Sequence, residues 1–67
     1  MLTIEVEQED DGRWIGEVAA LPGVLAYGVT EAEVRSKTAA LALRVIADRI
    51  EHGEPVPVEA RELFTLA

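Results

Sequence analysis

Ser36 is the single serine and His52 the single histidine of the chain, and cysteine is absent. A serine nucleophile needs a base within hydrogen-bond reach, itself oriented by a third group. Ser36 and His52 fall on one helical segment about four turns apart, so neither can activate the other. One histidine without thiolates cannot complete a tetrahedral zinc site. Gly12, Gly16, Gly23 and Gly28 are scattered among strands and turns, not gathered into a phosphate loop. What remains is charge: thirteen acidic residues stand against six basic ones, a net charge of -7. Such a field repels a phosphate backbone. It suits steered association with a basic protein, and it serves solubility equally well. The expectation is a chain that is not an enzyme, with no cofactor, no metal and no direct contact to nucleic acid.

The charged residues must be placed by very little structure. Sixty-seven residues make one domain at most, and a chain this short buries only about 60% of its unfolded surface. Support from self-association is expected, since disulfides are excluded. Leu2, Ile4 and Val6 alternate with Thr3, Glu5 and Glu7, the period of a half-buried strand. Glu9-Asp10-Asp11-Gly12 reads as a hairpin turn. Arg13 to Ala19 makes a second strand, with Trp14, Gly16 and Val18 on one face and Arg13, Ile15 and Glu17 on the other. Leu21-Pro22-Gly23 is a tight turn. Val24 to Gly28 forms a short third strand carrying Tyr27.

Thr30 opens a helix that runs to about His52. The Thr30 hydroxyl and Glu33 have the spacing of a capping box, and Gly53 suits a left-handed C-terminal cap. Val34, Thr38, Leu41, Ala42 and Val45 form one apolar stripe; Ala39, Leu43, Ile46 and Ile50 form a second. Together they are wider than the roughly 100° arc that covers one sheet. Either the domain wraps its helix unusually fully, or one stripe packs on the sheet and the other meets a second subunit. The second choice is preferred, which predicts a homodimer or homotetramer with Ala39, Leu43, Ile46 and Ile50 at its interface. Pro55 and Pro57 stop the helix, and Glu62 to Leu66 reads as a last strand.

The expected fold class is α+β, in the order β-β-β-α-β. Three antiparallel strands are followed by a helix across one face and a fourth strand parallel to the first, reached by a right-handed crossover. This order matches part of an RNase H-like fold. Nucleases of that fold hold two divalent ions on carboxylates from the first strand, the helix and the fourth strand. Glu5 or Glu7, Glu31 and Glu62 are the only candidates. Metal-dependent nuclease activity is therefore a remote alternative, because fold does not carry function.

The order of motifs adds a resemblance. Asp11-Gly12-Arg13-Trp14 in a hairpin, then Leu21-Pro22-Gly23, then Gly28-Val29-Thr30 opening a helix with Glu33, resembles the N-terminal domain of the HicB-like antitoxin family across nearly the whole chain. Val29 departs from the usual Asp, and Ala32 and Val34 depart from the usual Glu-Glu-Ala run. The resemblance implies a degenerate, non-catalytic RNase H-like domain over residues 1–67. It also implies a partner, a small basic HicA-like ribonuclease toxin that the domain masks. The C-terminal DNA-binding domain of such antitoxins is not expected here, so operator binding is not carried over. Glu5, Glu7, Arg13, Ile15 and Glu17, on the sheet face away from the helix, are the candidates for meeting the toxin. A stand-alone homo-oligomer without a toxin is the alternative. No secretory signal or apolar run of about 20 residues is visible, so a cytoplasmic location is the default.

Overall fold

A computed structural model describes residues 1–65. It contains β1 (Ile4–Gln8), β2 (Trp14–Val18), β3 (Leu25–Gly28), α1 (Glu31–Glu51) and α2 (Val58–Arg61). The strands form one antiparallel sheet in the order β1-β2-β3, and α1 packs on one face. No helix among the described residues is long and apolar enough to cross a membrane.

Local chemistry sets the connections. At the first hairpin Gly12 takes φ +91, and its amide donates to the Glu9 carbonyl at 2.9 Å. Asp11 accepts from both the amide and the Nε of Arg13, at 3.1 and 2.8 Å. In the second turn Val24 N donates to Leu21 O at 3.0 Å. Pro22 presets the backbone and Gly23 supplies the positive φ, +91, as a type II turn requires. Leu21 is fully buried beneath that turn. At the helix start, Thr30 Oγ1 accepts from Glu33 N at 3.0 Å. At its end Gly53 has φ +68. There Glu54 N donates to Arg49 O at 2.8 Å and Gly53 N to Ile50 O at 3.2 Å, the paired bonds of a Schellman cap.

Two glycines decide where the helix lies. Gly16 and Gly28 face α1, and a Cβ on either would collide with it. At Gly16 the obstacle is the Thr38 side chain, and at Gly28 it is the backbone of Val34. The missing side chains let the first half of α1 sit tightly on β2 and β3. Val34, Thr38, Ala42 and Ile46 are the buried row of the helix, spaced at i, i+4. Thr38, buried among them, donates its hydroxyl to Val34 O at 2.6 Å and so leaves no polar atom stranded. The helix lies more over β3 and β2 than over β1. The inward side chains of β1, with Leu2 before it, are therefore only half-buried.

The fourth strand expected over Glu62–Leu66 is not present at residues 62–65; Leu66 lies outside the described residues. The chain instead makes α2, one short helical turn. Pro57 stands at its N-cap without a side-chain cap bond, while Glu59 near its positive end and Arg61 near its negative end suit the helix dipole. Ala60, a strong helix former, is buried against the core of Val18, Leu21, Val24, Ala42 and Ile46. Ile46 is only 3% exposed, so it belongs to this core and not to the open stripe where the sequence reading placed it.

Candidate acidic docking face

The register brings two rows of side chains together on the sheet face opposite α1. Glu5 pairs with Glu17, and Glu17 with Leu25. Glu7 pairs with Ile15, and Ile15 with Tyr27. Glu5, Glu7, Ile15 and Glu17 thus share the face assigned to them from alternation. Arg13 stands at its margin, its guanidinium 5.0 Å from the Tyr27 ring centroid and 2.8 Å from the Asp11 carboxylate. A cation over an aromatic face is held by the ring quadrupole.

Leu25 and Tyr27 belong to this face and were not assigned to it from sequence. They are 45% and 46% exposed, and their period-two spacing is the signal that would have found them. Glu9 joins Glu5, Glu7, Ile15 and Glu17 around a shallow depression of about 240 Å³. The surface is therefore graded: carboxylates gather on β1 and β2, and apolar side chains gather toward β3.

Apart from Arg13, the basic residues lie off the sheet. Arg35, Lys37, Arg44 and Arg49 lie on α1 and Arg61 on α2, while β1 and β2 carry no basic residue. The ion pairs on α1 are internal to it: Arg35 with Glu31 at 2.9 Å and Lys37 with Glu33 at 2.8 Å. Among the described residues, Glu5, Glu7, Glu9 and Glu17 enter no ion pair. Two carboxyl groups have pKa values held below their ordinary range, both outside the depression. For Asp11 the first cause is the hydrogen bond from the Arg13 backbone, reinforced by its side chain. For Glu33 it is the hydrogen bond from Lys37, helped by the Val29 backbone. That carboxylate therefore does not close the second half of the capping box.

The carboxylates weighed for a nuclease are not gathered. Glu5 and Glu7 face away from α1, whereas Glu31 opens α1 on the other side of the sheet and pairs with Arg35. Glu62 follows α2. Among the described residues, the side chains close enough to share one cation are Asp48, His52 and Glu54, all exposed. His52 Nδ1 lies 2.7 Å from the Asp48 carbonyl, so the ring is engaged in closing the helix end.

The helix-side candidates divide. Ala39 is half-buried and Ile46 buried, while Leu43 and Ile50 are 58% and 52% exposed. Leu43 borders an apolar groove beside β1. Ile50 borders a second one with Val56, Ala60 and Phe64, the last of which was not among the sequence candidates. The motif residues Leu21, Pro22, Gly23, Gly28, Thr30 and Glu33 act in turns, caps and helix docking, not in the acidic face.

No protein-family model, curated protein or solved structure matches the chain. Its class is a small α+β domain with a three-stranded antiparallel sheet and one helix packed on it.

Proposed function

We propose that this chain is an antitoxin-like module of the HicB-like kind, which captures a small basic ribonuclease and neutralises it by covering its RNA-binding surface. The observation that carries the reading is the open sheet face. Glu5, Glu7 and Glu17 stand there without cationic partners in the described chain, beside the exposed Leu25 and Tyr27. A protein that binds RNA offers a basic surface, and complementary charge accelerates encounter and fixes orientation. An aromatic anchor next to the charged zone supplies the apolar contact that charge alone does not. The module performs no chemistry in this reading; it occludes.

The reading predicts a reading frame for a small basic protein beside this chain's gene, and the product of that frame is the test partner. Its cleavage of RNA should stop when the chain is added in equal amount. Glu5→Lys together with Glu17→Lys should restore cleavage and slow association at low salt. Undiminished cleavage in the presence of excess wild-type chain would overturn the proposal.

A stand-alone homo-oligomer is the second reading. It is favoured by the apolar groove of about 370 Å³ lined by Ile50, Val56, Ala60 and Phe64. Light scattering at micromolar concentration should then give a multiple of the 7.3 kDa chain mass, and Ile50→Glu should reduce it to one chain.

A further inference from the structure

Among the described residues no strand lies beside β1 on its outer side. β1 is an edge strand, and its pairing with β2 runs without a bulge from Ile4 to Gln8. Every second residue of an edge strand turns its amide and carbonyl outward, where another chain can pair with them. Proteins commonly guard such edges with proline, charged side chains or a bulge; β1 has no proline and no bulge, and its charges, Glu5 and Glu7, are both acidic and so exclude only acidic strands. Behind the edge, on the helix side, Leu2, Ile4, Val18, Ala39, Leu43 and Ile46 line a groove of about 200 Å³. In front of it, Glu5 and Glu7 face the acidic side.

We propose that the β1 edge accepts an extended strand from a basic partner, with aliphatic side chains entering the Leu2–Leu43 groove and alternate lysines or arginines lying beside Glu5 and Glu7. This deepens the reading of the acidic face as a protein-binding site and rests on it. The occupant follows from β1's own alternation. Its inward residues are Ile4, Val6 and Gln8, and its outward residues are Glu5 and Glu7. A second copy of β1 fits poorly. An antiparallel pair centred on Val6 sets each Glu5 against the other copy's Glu7, and a parallel in-register pair sets like against like. Like charges directly opposite are destabilising. A strand with the same apolar face and the opposite charge satisfies both sides of the edge. Main-chain bonds then give affinity and alternate side chains give selectivity, as in other strand-addition complexes.

The probe is a capped heptapeptide of alternating lysine and valine, titrated into the whole ¹⁵N-labelled protein at low salt. Amide shifts should concentrate at Glu5, Val6 and Glu7, with Leu43 moving in the groove. N-methylation of the peptide's alternate amides, a glutamate-for-lysine version and Leu43→Asp should each weaken binding at least tenfold. Ser36→Ala, exposed on α1 and outside the groove, should leave it unchanged. Shifts confined to Ile15, Glu17 and Tyr27 and indifferent to N-methylation would overturn edge pairing, while leaving the basic-partner reading standing. Absence of any shift, or line broadening that grows with protein concentration without peptide, would overturn it too. Capture of a basic ribonuclease, the partner that the proposed function predicts, is scored separately by RNA cleavage, so failure of the edge and failure of the broader reading give different results.

Discussion

Glu5 and Glu17 stand directly opposite each other across β1 and β2. A like-charged pair in that position is destabilising. Nothing in the described chain offsets it with an ion pair. Under the proposed function the face trades some stability for binding a cationic partner.

The pair makes a prediction with two arms. Glu17→Lys alone creates an opposite-charge pair and should raise the melting temperature. Glu5→Lys with Glu17→Lys recreates a like-charge pair and should return stability close to that of the wild type. Both variants should lose affinity for a basic partner. Thermal melts followed by circular dichroism, beside binding at two salt concentrations, separate the two effects. A double-mutant cycle that includes Glu5→Lys alone and shows no coupling would mean that the two positions do not interact.

Gly16 and Thr38 are predicted to be energetically coupled. A methyl at Gly16 would overlap the Thr38 hydroxyl, so Gly16→Ala should destabilise by about 1–3 kcal/mol through overpacking. Thr38→Ala removes the obstructing oxygen. In a double-mutant cycle the pair should recover part of the loss, with a coupling on the order of 1 kcal/mol. Gly28→Ala has no such rescue, because the obstacle is the backbone of Val34. Urea unfolding of the four variants supplies the measurement.

Thr30→Ala should cost about 1 kcal/mol, the usual value of an N-cap side chain, because Thr30 Oγ1 is the acceptor for Glu33 N. In a domain this small that is a fall of roughly 4–8 °C in melting temperature. Thr30→Ser should restore most of it, since the hydroxyl is retained.

These elements were legible because their causes are local. Asp11-Gly12, Pro22-Gly23, Thr30 with Glu33, and Gly53 each fix a turn or cap within a few residues. The alternation of Glu5, Glu7, Ile15 and Glu17 likewise fixes which face they share. The last strand, expected over Glu62–Leu66, depended on tertiary context: just before it Val58–Arg61 turns into a short helix that buries Ala60, and residues 62–65 do not extend into a strand. Ile46 was misplaced because it sits at the boundary of two stripes. Its i, i+4 spacing from Ala42 was the available signal, and packing against Ala60 and Leu21 shows that it continues that row. Trp14 shares its face with Gly16 and Val18 as expected but is half-buried. Trp14→Ala should therefore cost less than the roughly 3–5 kcal/mol of a fully buried aromatic. The groove beside β1 follows from where two glycines let the helix settle, which no period in the sequence displays.

The lowered pKa of Glu33 predicts a pH dependence of stability with a definite sign. Its folded carboxyl ionises more readily than an unfolded one, chiefly through Lys37 and also through the Val29 backbone. The unfolded chain therefore binds more protons between the two pKa values, and stability rises with pH there. The contribution is fully present above the ordinary carboxylate range and is lost as pH falls through the lowered folded value. Asp11, held down by Arg13, acts in the same direction. Glu33→Gln should thus be less stable than the wild type at neutral pH, and the gap should close on acidification below the carboxylate range. Relief of the net charge of -7 on acidification is nearly common to both proteins and largely cancels in the difference. Denaturant midpoints of the two proteins along a pH series provide the check. A gap that stays constant down to the most acidic point would mean that Glu33 stabilises the helix without its charge.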